Sequence, residues 1–263
     1  MQVTWFEANT WLVEWAGLRL LFDPWLVGPL VFGQLDWLFK AQRRRPIAAW
    51  PSHLDAIVIT QGLEDHCHPL TLSHLDRGIP VIASPSAAKV VRGLGYQQVT
   101  ALAHGQTTTL ADRLTIQAVP GAPVGPTQVE NGYFLREDCT GQTLYYEPHG
   151  YHQGILGLVS HVDVVIAPVM DLTLPLVGPI IRGNQVALAL AQKLRPQVML
   201  STAMGDYEAS GFLLQLVQVK GDISTFQQQL AQAGLPTQAM ELPPQQAVTL
   251  PLETGLRCYS QAG

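Results

Sequence analysis

The sequence predicts an α/β sandwich: two mixed β-sheets packed face to face with helices on their outer surfaces, in one domain spanning residues 1–263. Three observations predict it. Apolar, strand-like segments come first in hairpins and later alternate with helical patterns. Hydrophobic residues make up 47% of the chain against 13% charged, enough to fill a core between layers. No internal repeat or low-complexity linker divides the chain.

The elements follow in order. Val3–Trp15 and Leu18–Phe22 read as two strands joined at Ala16-Gly17, and Asp23-Pro24 ends the second. Residues 25–46 change composition: large apolar residues precede Lys40, Arg43, Arg44 and Arg45, with Leu35, Leu38 and Phe39 on one helical face and Asp36 and Lys40 spaced as an ion pair. Ala56–Thr60 and Pro80–Ala83 are strands, the second leading into a helix that Ser86 caps and Gly95 ends. Leu114–Val119 alternates, and Gly132–Leu135 with Thr143–Tyr146 forms a hairpin around Cys139-Thr140-Gly141. Val162–Pro168 is a buried-type strand. Val186–Leu194 is a helix stopped by Arg195-Pro196, and Gln197–Leu200 is the next strand. Ser224 through Gln227 has capping-box spacing for a last helix closed by Gly234.

Bulk properties exclude several function classes. A net charge of −5 argues against a nucleic-acid binder. Three scattered cysteines, Cys67, Cys139 and Cys258, favour reduced thiols in a cytoplasm-like compartment. The opening Met-Gln-Val-Thr-Trp-Phe-Glu lacks the basic start and apolar run of a signal peptide. No stretch reaches the ~18 uninterrupted apolar residues of a spanning helix, so any membrane contact is expected to be peripheral.

Residues 55–69, Asp-Ala-Ile-Val-Ile-Thr-Gln-Gly-Leu-Glu-Asp-His-Cys-His-Pro, set an apolar strand before a polar loop ending in Asp65-His66. This layout resembles the metallo-β-lactamase superfamily, in which such a strand leads into Thr-His-x-His-x-Asp-His. The opening hairpin into Leu21-Phe22-Asp23-Pro24-Trp25-Leu26 and the Val81-Ile82-Ala83 strand extend the resemblance over nearly the whole chain. It is strongest to the branch of ascorbate-6-phosphate lactonase, within a divergent group similar to proteins of cyanobacteria and plastids. The resemblance implies a four-layer αβ/βα sandwich of two mixed sheets with outer helices.

It also implies a degenerate metal site. The leading two histidines fall on Gln61 and Leu63, while Asp65 and His66 are kept. Leucine cannot bind a metal, and an amide is a poor zinc ligand beside imidazole or thiolate. The third histidine's segment is Val119 to Pro126, without histidine; His149 occupies the bridging aspartate's position, and Ser201-Thr202-Ala203 stand at the last histidine's. The survivors Asp65, His66 and His149 offer one carboxylate and two imidazoles, a set that holds a single zinc or ferrous ion with positions open for water or substrate. The two-metal route is closed. The residues leave a metal-free reading open beside this one: Asp65 capping a helix near Pro69, and His66 bonding a loop.

Glu147 and His68 are the catalytic candidates. Glu147 lies two residues from His149 on an extended run, so it serves as general base or orients His149. His68 and Cys67 flank the Asp65-His66 pair; Cys67 is a reactive thiolate or an inert loop cysteine. His152 is expected to face solvent on a turn. His53, His74, His104 and His161 read as structural or exposed, and Asp206 as a weak replacement for the last ligand.

Residues 171–182, broken by Pro175, Gly178 and Pro179, are a second apolar segment. Together with 25–46 it is expected to rim the site, leaving Trp25, Phe32, Trp37 and Phe39 partly exposed for a lipophilic small molecule, a membrane surface or a second copy of the chain. Packing of both segments on the core is the other reading. The resemblance thus implies a hydrolase-like protein cleaving an ester-type bond of a lipophilic substrate with at most one metal. The alternative is a non-catalytic pseudoenzyme that binds a hydrophobic ligand, membrane or partner in the old cleft. A third reading is an oxidoreductase-type iron site.

Overall fold

The computed structural model describes residues 1–125, 127–175 and 178–253. Pro126 and Cys258, and Leu176 and Val177 within the 171–182 segment, lie outside the described residues. Two seven-stranded sheets dominate. The first runs in the order Ala247–Thr249, Gln2–Trp5, Trp11–Trp15, Leu18–Phe22, Ala56–Ile59, Val81–Ala83, Val99–Ala101. The second runs Gln238–Met240, Val198–Ser201, Val164–Ala167, Thr143–Tyr146, Gln128–Glu137, Leu114–Val124, Thr107–Leu110.

Side-chain alternation builds the layers. Leu18, Leu20, Phe22, Ala56 and Val58 turn inward against Ile116, Tyr133, Leu135, Tyr146, Val164 and Ile166, filling the space between the sheets. The other parity of the first sheet, Leu21, Ile57 and Ile59, packs on Leu72, Ala87 and Val91 of helices Pro69–His74 and Pro85–Gly93. The outer face of the second sheet, Tyr145, Val165 and Met199, packs on helices Asn184–Leu194 and Ile223–Gln232 through Ala187, Leu190, Phe226 and Leu230. This is the four-layer αβ/βα sandwich.

Several local expectations are corrected. Val3–Trp15 is two strands, because Glu7 and Ala8 adopt positive φ (65° and 47°) and turn the chain back on itself. The Ala16-Gly17 hairpin forms as expected, with φ of 55° and 72° matching the twist of paired strands. Ser84 caps the second helix in place of Ser86, accepting from Ala87 N with Pro85 at the first turn. Asp222 caps the last helix in place of Ser224, accepting from Thr225 N at 2.8 Å.

Residues 25–46 form no helix: Gly33 and Gln34, at φ 57° and 61°, interrupt it. Leu30–Val31 and Lys40–Arg43 instead make a small sheet with Tyr207–Ser210, and the Asp36–Lys40 ion pair (3.1 Å) bridges the intervening turn. Asp171–Leu174 and Gly178–Ile181 form another small sheet with Gln218–Lys220. The two apolar segments do not pair with each other among the described residues; the chain from Tyr207 to Lys220 pairs with both. Among the described residues no helix is long and apolar enough to cross a membrane.

Candidate metal centre

Ala56–Ile59 is wholly buried, and the chain leaves it at Thr60 into a tight loop where His66 N and Cys67 N both donate to Leu63 O (3.0 and 2.8 Å). That loop presents Asp65 and His66 at the C-terminal end of the first sheet's parallel strands. From the facing sheet, Thr143–Tyr146 ends just before Glu147 and His149. Gly150 makes the turn that follows possible: at φ +84°, a Cβ there would lie 1.6 Å from Arg182 O. The loop is pinned further by Arg182 N donating to His149 O at 2.8 Å.

The structure brings Asp65, His66 and His149 together: one ligand atom of each lies within 4.8 Å of the others. The two imidazole centroids are 4.9 Å apart. Each ring turns Nε2 toward its neighbours in the cluster and Nδ1 toward a buried carboxylate. His66 Nε2 is 3.0 Å from Asp65 Oδ2, and its Nδ1 is 2.7 Å from Asp23 Oδ2. His149 Nε2 is 3.4 Å from the Gln61 amide nitrogen, and its Nδ1 faces Glu147 Oε1 at 4.0 Å. Asp23 is itself held by Thr60 Oγ1, Thr60 N and Tyr146 OH at 2.7–2.8 Å.

Electrostatics follow from this packing. Burial alone would lower the His66 pKa, but Asp65 and Asp23 outweigh it and raise it to about 10. Without a cation, His66 is therefore an imidazolium between two carboxylates. Burial opposes ionisation of Asp65, yet His66 and then His149 hold its carboxyl below the usual range. Burial, reinforced by the His66 charge, lowers His149 to about 3, so it is neutral with one nitrogen lone pair available. Burial raises Glu147 to about 7, against the backbone N–H groups of Tyr151, Gly150 and His149 that favour its charged form.

The donor set fits one divalent ion. Zinc or iron ligands sit near ~2.0–2.2 Å from the ion, so small side-chain adjustments bring donors at this spacing onto one centre. Asp65 Oδ1 is buried without a hydrogen-bond partner among the described residues, as an acceptor waiting for a cation would be. Leu63, 39% exposed, offers no donor.

The other candidates have different surroundings. His68 caps the helix Pro69–His74: its Nδ1 accepts from Thr71 N (3.2 Å) and its Nε2 faces Pro29 O (3.2 Å), which uses both ring nitrogens. The cap is thus His68, not Asp65. Glu147 accepts from Tyr151 N at 2.7 Å and His149 N at 3.3 Å, a shape suited to orienting His149. Cys67 is buried, and burial raises its thiol to about 12, which keeps it protonated and argues against a nucleophilic thiolate. His152 does not face solvent: it is 2% exposed and meets Tyr145 OH at 3.1 Å. Asp206 pairs with Arg44 at 3.1 Å on the surface.

Trp25 is also corrected. It is 1% exposed, beneath the Arg43 guanidinium at 4.7 Å, and Arg43 pairs with Glu7 in the interior rather than joining a surface basic run. Phe32 and Phe39 are half-buried against each other, while Trp37 is 66% exposed. An open recess of about 770 Å³ lined by Trp5, Glu7, Met204, Asp206, Glu241 and Leu242, among others, includes none of the three cluster residues.

Sequence reasoning passed over Asp23, Thr60 and Tyr146. The only sequence signal was an aspartate directly after the apolar strand Leu18–Phe22; that it sits beside the end of the Thr60 strand follows from the parallel pairing of Phe22 with Val58.

Fold and site together define a protein of the metallo-β-lactamase type. A beta-lactamase superfamily domain matches residues 2–203, and the chain belongs to that superfamily. A UPF0173 metal-dependent hydrolase of Pyrobaculum calidifontis is 26% identical over 204 residues, 75% of this chain and 81% of the relative. Among solved structures, the fold is similar to an isothiocyanate hydrolase from Delia radicum gut bacteria (TM-score 0.69, 17% identity, 95% of this chain and 99% of that one). It is also similar to Igni18, a metallo hydrolase of Ignicoccus hospitalis (TM-score 0.68, 20% identity, 95% and 97%).

Proposed function

We propose that this chain is a hydrolase working with one divalent ion, zinc or ferrous iron, held by Asp65, His66 and His149. The observation that carries this reading is the convergence of Asp65, His66 and His149, each with a ligand atom within 4.8 Å of the others, with Asp23 Oδ2 2.7 Å behind His66 Nδ1. A carboxylate so placed fixes the tautomer and aim of a metal-ligating histidine. The metal-dependent hydrolase relatives support the same class.

A divalent ion supplies Lewis-acid polarisation and an acidified water. Asp65, with a side chain 22% exposed beside wholly buried His66, marks the side from which substrate enters. Glu147 positions His149, because backbone N–H groups already occupy its oxygens.

The substrate is a lipophilic molecule with an ester-type bond. Leu63 and Leu70 are 39% and 43% exposed on and next to the Asp65-His66 loop. Gly33 N donates to Glu64 (3.0 Å), tying the apolar segment bearing Leu35 and Trp37 to the same loop. Hydrolysis of p-nitrophenyl esters of increasing acyl length by zinc- or iron-loaded protein tests this. Turnover that rises with chain length and vanishes in Asp65→Ala is expected. A metal-loaded protein inert toward every ester would leave only ligand binding for the cleft.

A further inference from the structure

Two buried oxygens in one loop have no hydrogen-bond partner among the described residues: Asp65 Oδ1 and Gln61 Oε1. Asp65 Oδ1 belongs to the three-donor cluster already described. Gln61 Oε1 belongs to a side chain only 2% exposed, whose amide nitrogen lies 3.4 Å from His149 Nε2. A buried amide with its nitrogen satisfied and its oxygen idle is an unfavourable arrangement, because the acceptor has lost water and gained nothing. Rotating the amide plane by half a turn exchanges the two atoms without moving the side chain, and the two orientations differ only in the hydrogen-bond network around them. The opposite orientation puts the oxygen beside His149 Nε2. With the His149 proton on Nδ1, the side that faces Glu147, Nε2 and the amide oxygen are both acceptors and cannot bond each other there. A cation between them satisfies both.

We infer that Gln61 Oε1 is a fourth donor to the ion held by Asp65, His66 and His149. This rests on the one-ion reading above and adds a consequence of its own. An amide oxygen is a harder donor than imidazole or thiolate, and carbonyl and carboxylate oxygens suit manganese-like ions, whereas imidazole suits zinc. Two nitrogens and two oxygens therefore shift the site's relative preference from zinc toward manganese or ferrous iron. Gln61 sets metal choice without touching the reaction.

The test is metal binding, read without activity. Dissociation constants for Mn²⁺, Co²⁺ and Zn²⁺ are measured by calorimetry on full-length wild type, Gln61→Leu, Gln61→Glu and Gln61→His, together with visible spectra of the Co²⁺ forms. Gln61→Leu is expected to weaken Mn²⁺ and Co²⁺ at least about tenfold, the scale of losses around metal sites, and to change the Co²⁺ bands. Gln61→Glu retains an oxygen and keeps wild-type affinity or better, and Gln61→His moves preference to Zn²⁺. Gln61→Met, closer in length, serves if the leucine variant does not fold. Wild-type affinity and spectra in both apolar variants would overturn the assignment while leaving the three-donor site standing. A folded wild type that binds none of the three ions would overturn the one-ion reading itself, and this inference with it.

Discussion

Oδ2 of Asp23 lies 2.7 Å from Nδ1 of His66, and both side chains are wholly buried. The pair joins the end of the opening hairpin to the Asp65-His66 loop, and Tyr146 OH reaches the same carboxylate from the facing sheet at 2.7 Å. One carboxylate thus locks both sheets to the candidate centre.

Asp23→Asn tests that lock. The variant keeps the shape but removes the charge opposite His66. Breaking a buried pair by altering one partner costs about 3–5 kcal/mol, and losing the partner behind a metal histidine weakens metal affinity about 10–100-fold. Chemical denaturation and metal titration measure the two effects; wild-type values in both would assign Asp23 no such part.

Metal stoichiometry is the second prediction. Elemental analysis of protein equilibrated with excess zinc should find no more than one ion in the cleft, and His149→Ala should lose it. Two ions there would restore a two-metal mechanism, which Gln61 and Leu63 argue against.

Acid sensitivity is the third. His149 and His152 have folded pKa values of about 3 against about 6.5 unfolded, so the unfolded chain binds more protons and stability falls as pH drops from 6.5 toward 3. Glu147, raised to about 7, offsets one histidine between pH 7 and 4.5, because its folded form holds a proton that the unfolded form releases. The net loss is up to about 1.4 kcal/mol per pH unit down to 4.5, and steeper below. His66 acts at the other end: its contribution is complete below pH 6.5 and is lost as pH rises through about 10. Metal-free protein should therefore melt highest near pH 6.5, and a melting temperature unchanged between pH 7 and 4 would contradict the burial of two neutral histidines.

Ion binding has its own pH dependence. Metal displaces the His66 proton, so between pH 7 and 9 about one proton is released per ion and affinity tightens roughly tenfold per unit. Calorimetry in buffers of different ionisation enthalpy counts that proton; no release would mean His66 is not a ligand.

Thiol labelling probes the loop. Cys139 is exposed and should react with a maleimide in native protein, while Cys67, buried with its thiol raised to about 12, should react only after unfolding. Peptide mapping distinguishes the sites. Rapid native labelling of Cys67 would show that the Asp65-His66 loop opens.

Membrane contact is the last. Trp37 and Phe212 are 66% and 49% exposed and adjacent, Phe212 N donating to Trp37 O at 3.0 Å, with exposed Arg45, and Arg44 paired to Asp206, on the same segment. Anionic headgroups attract such cations at about 1 kcal/mol each. Flotation with anionic vesicles should carry wild type up and leave a Trp37→Ala, Phe212→Ala variant behind. If both stay in the soluble fraction, the exposed Trp37 and Phe212 side chains do not bind membranes, and size-exclusion chromatography tests whether they meet a second copy instead.

By itself, the sequence determined the layered α/β class and most strand positions, which depend on local alternation. Asp65 and His66 stand in one contiguous motif, while His149, far along the chain, was singled out only by resemblance and is brought within 4.8 Å of them by the fold. Cap positions were off by two residues at Ser84 and Asp222, because Ser84 and Ser86, like Asp222 and Ser224, are equally good caps on paper and only the backbone turn chooses. Tertiary structure alone decided the rest. It turned residues 35–40, whose Leu35, Leu38 and Phe39 share a helical face, into turn and strand, because Tyr207–Ser210 arrives from far along the chain to pair with Lys40–Arg43. It buried Trp25 under Arg43, and it gave His68 a helix to cap. Above all it set Asp23 behind His66, a contact across 43 residues that no local pattern encodes, since it exists only when parallel strands align their ends.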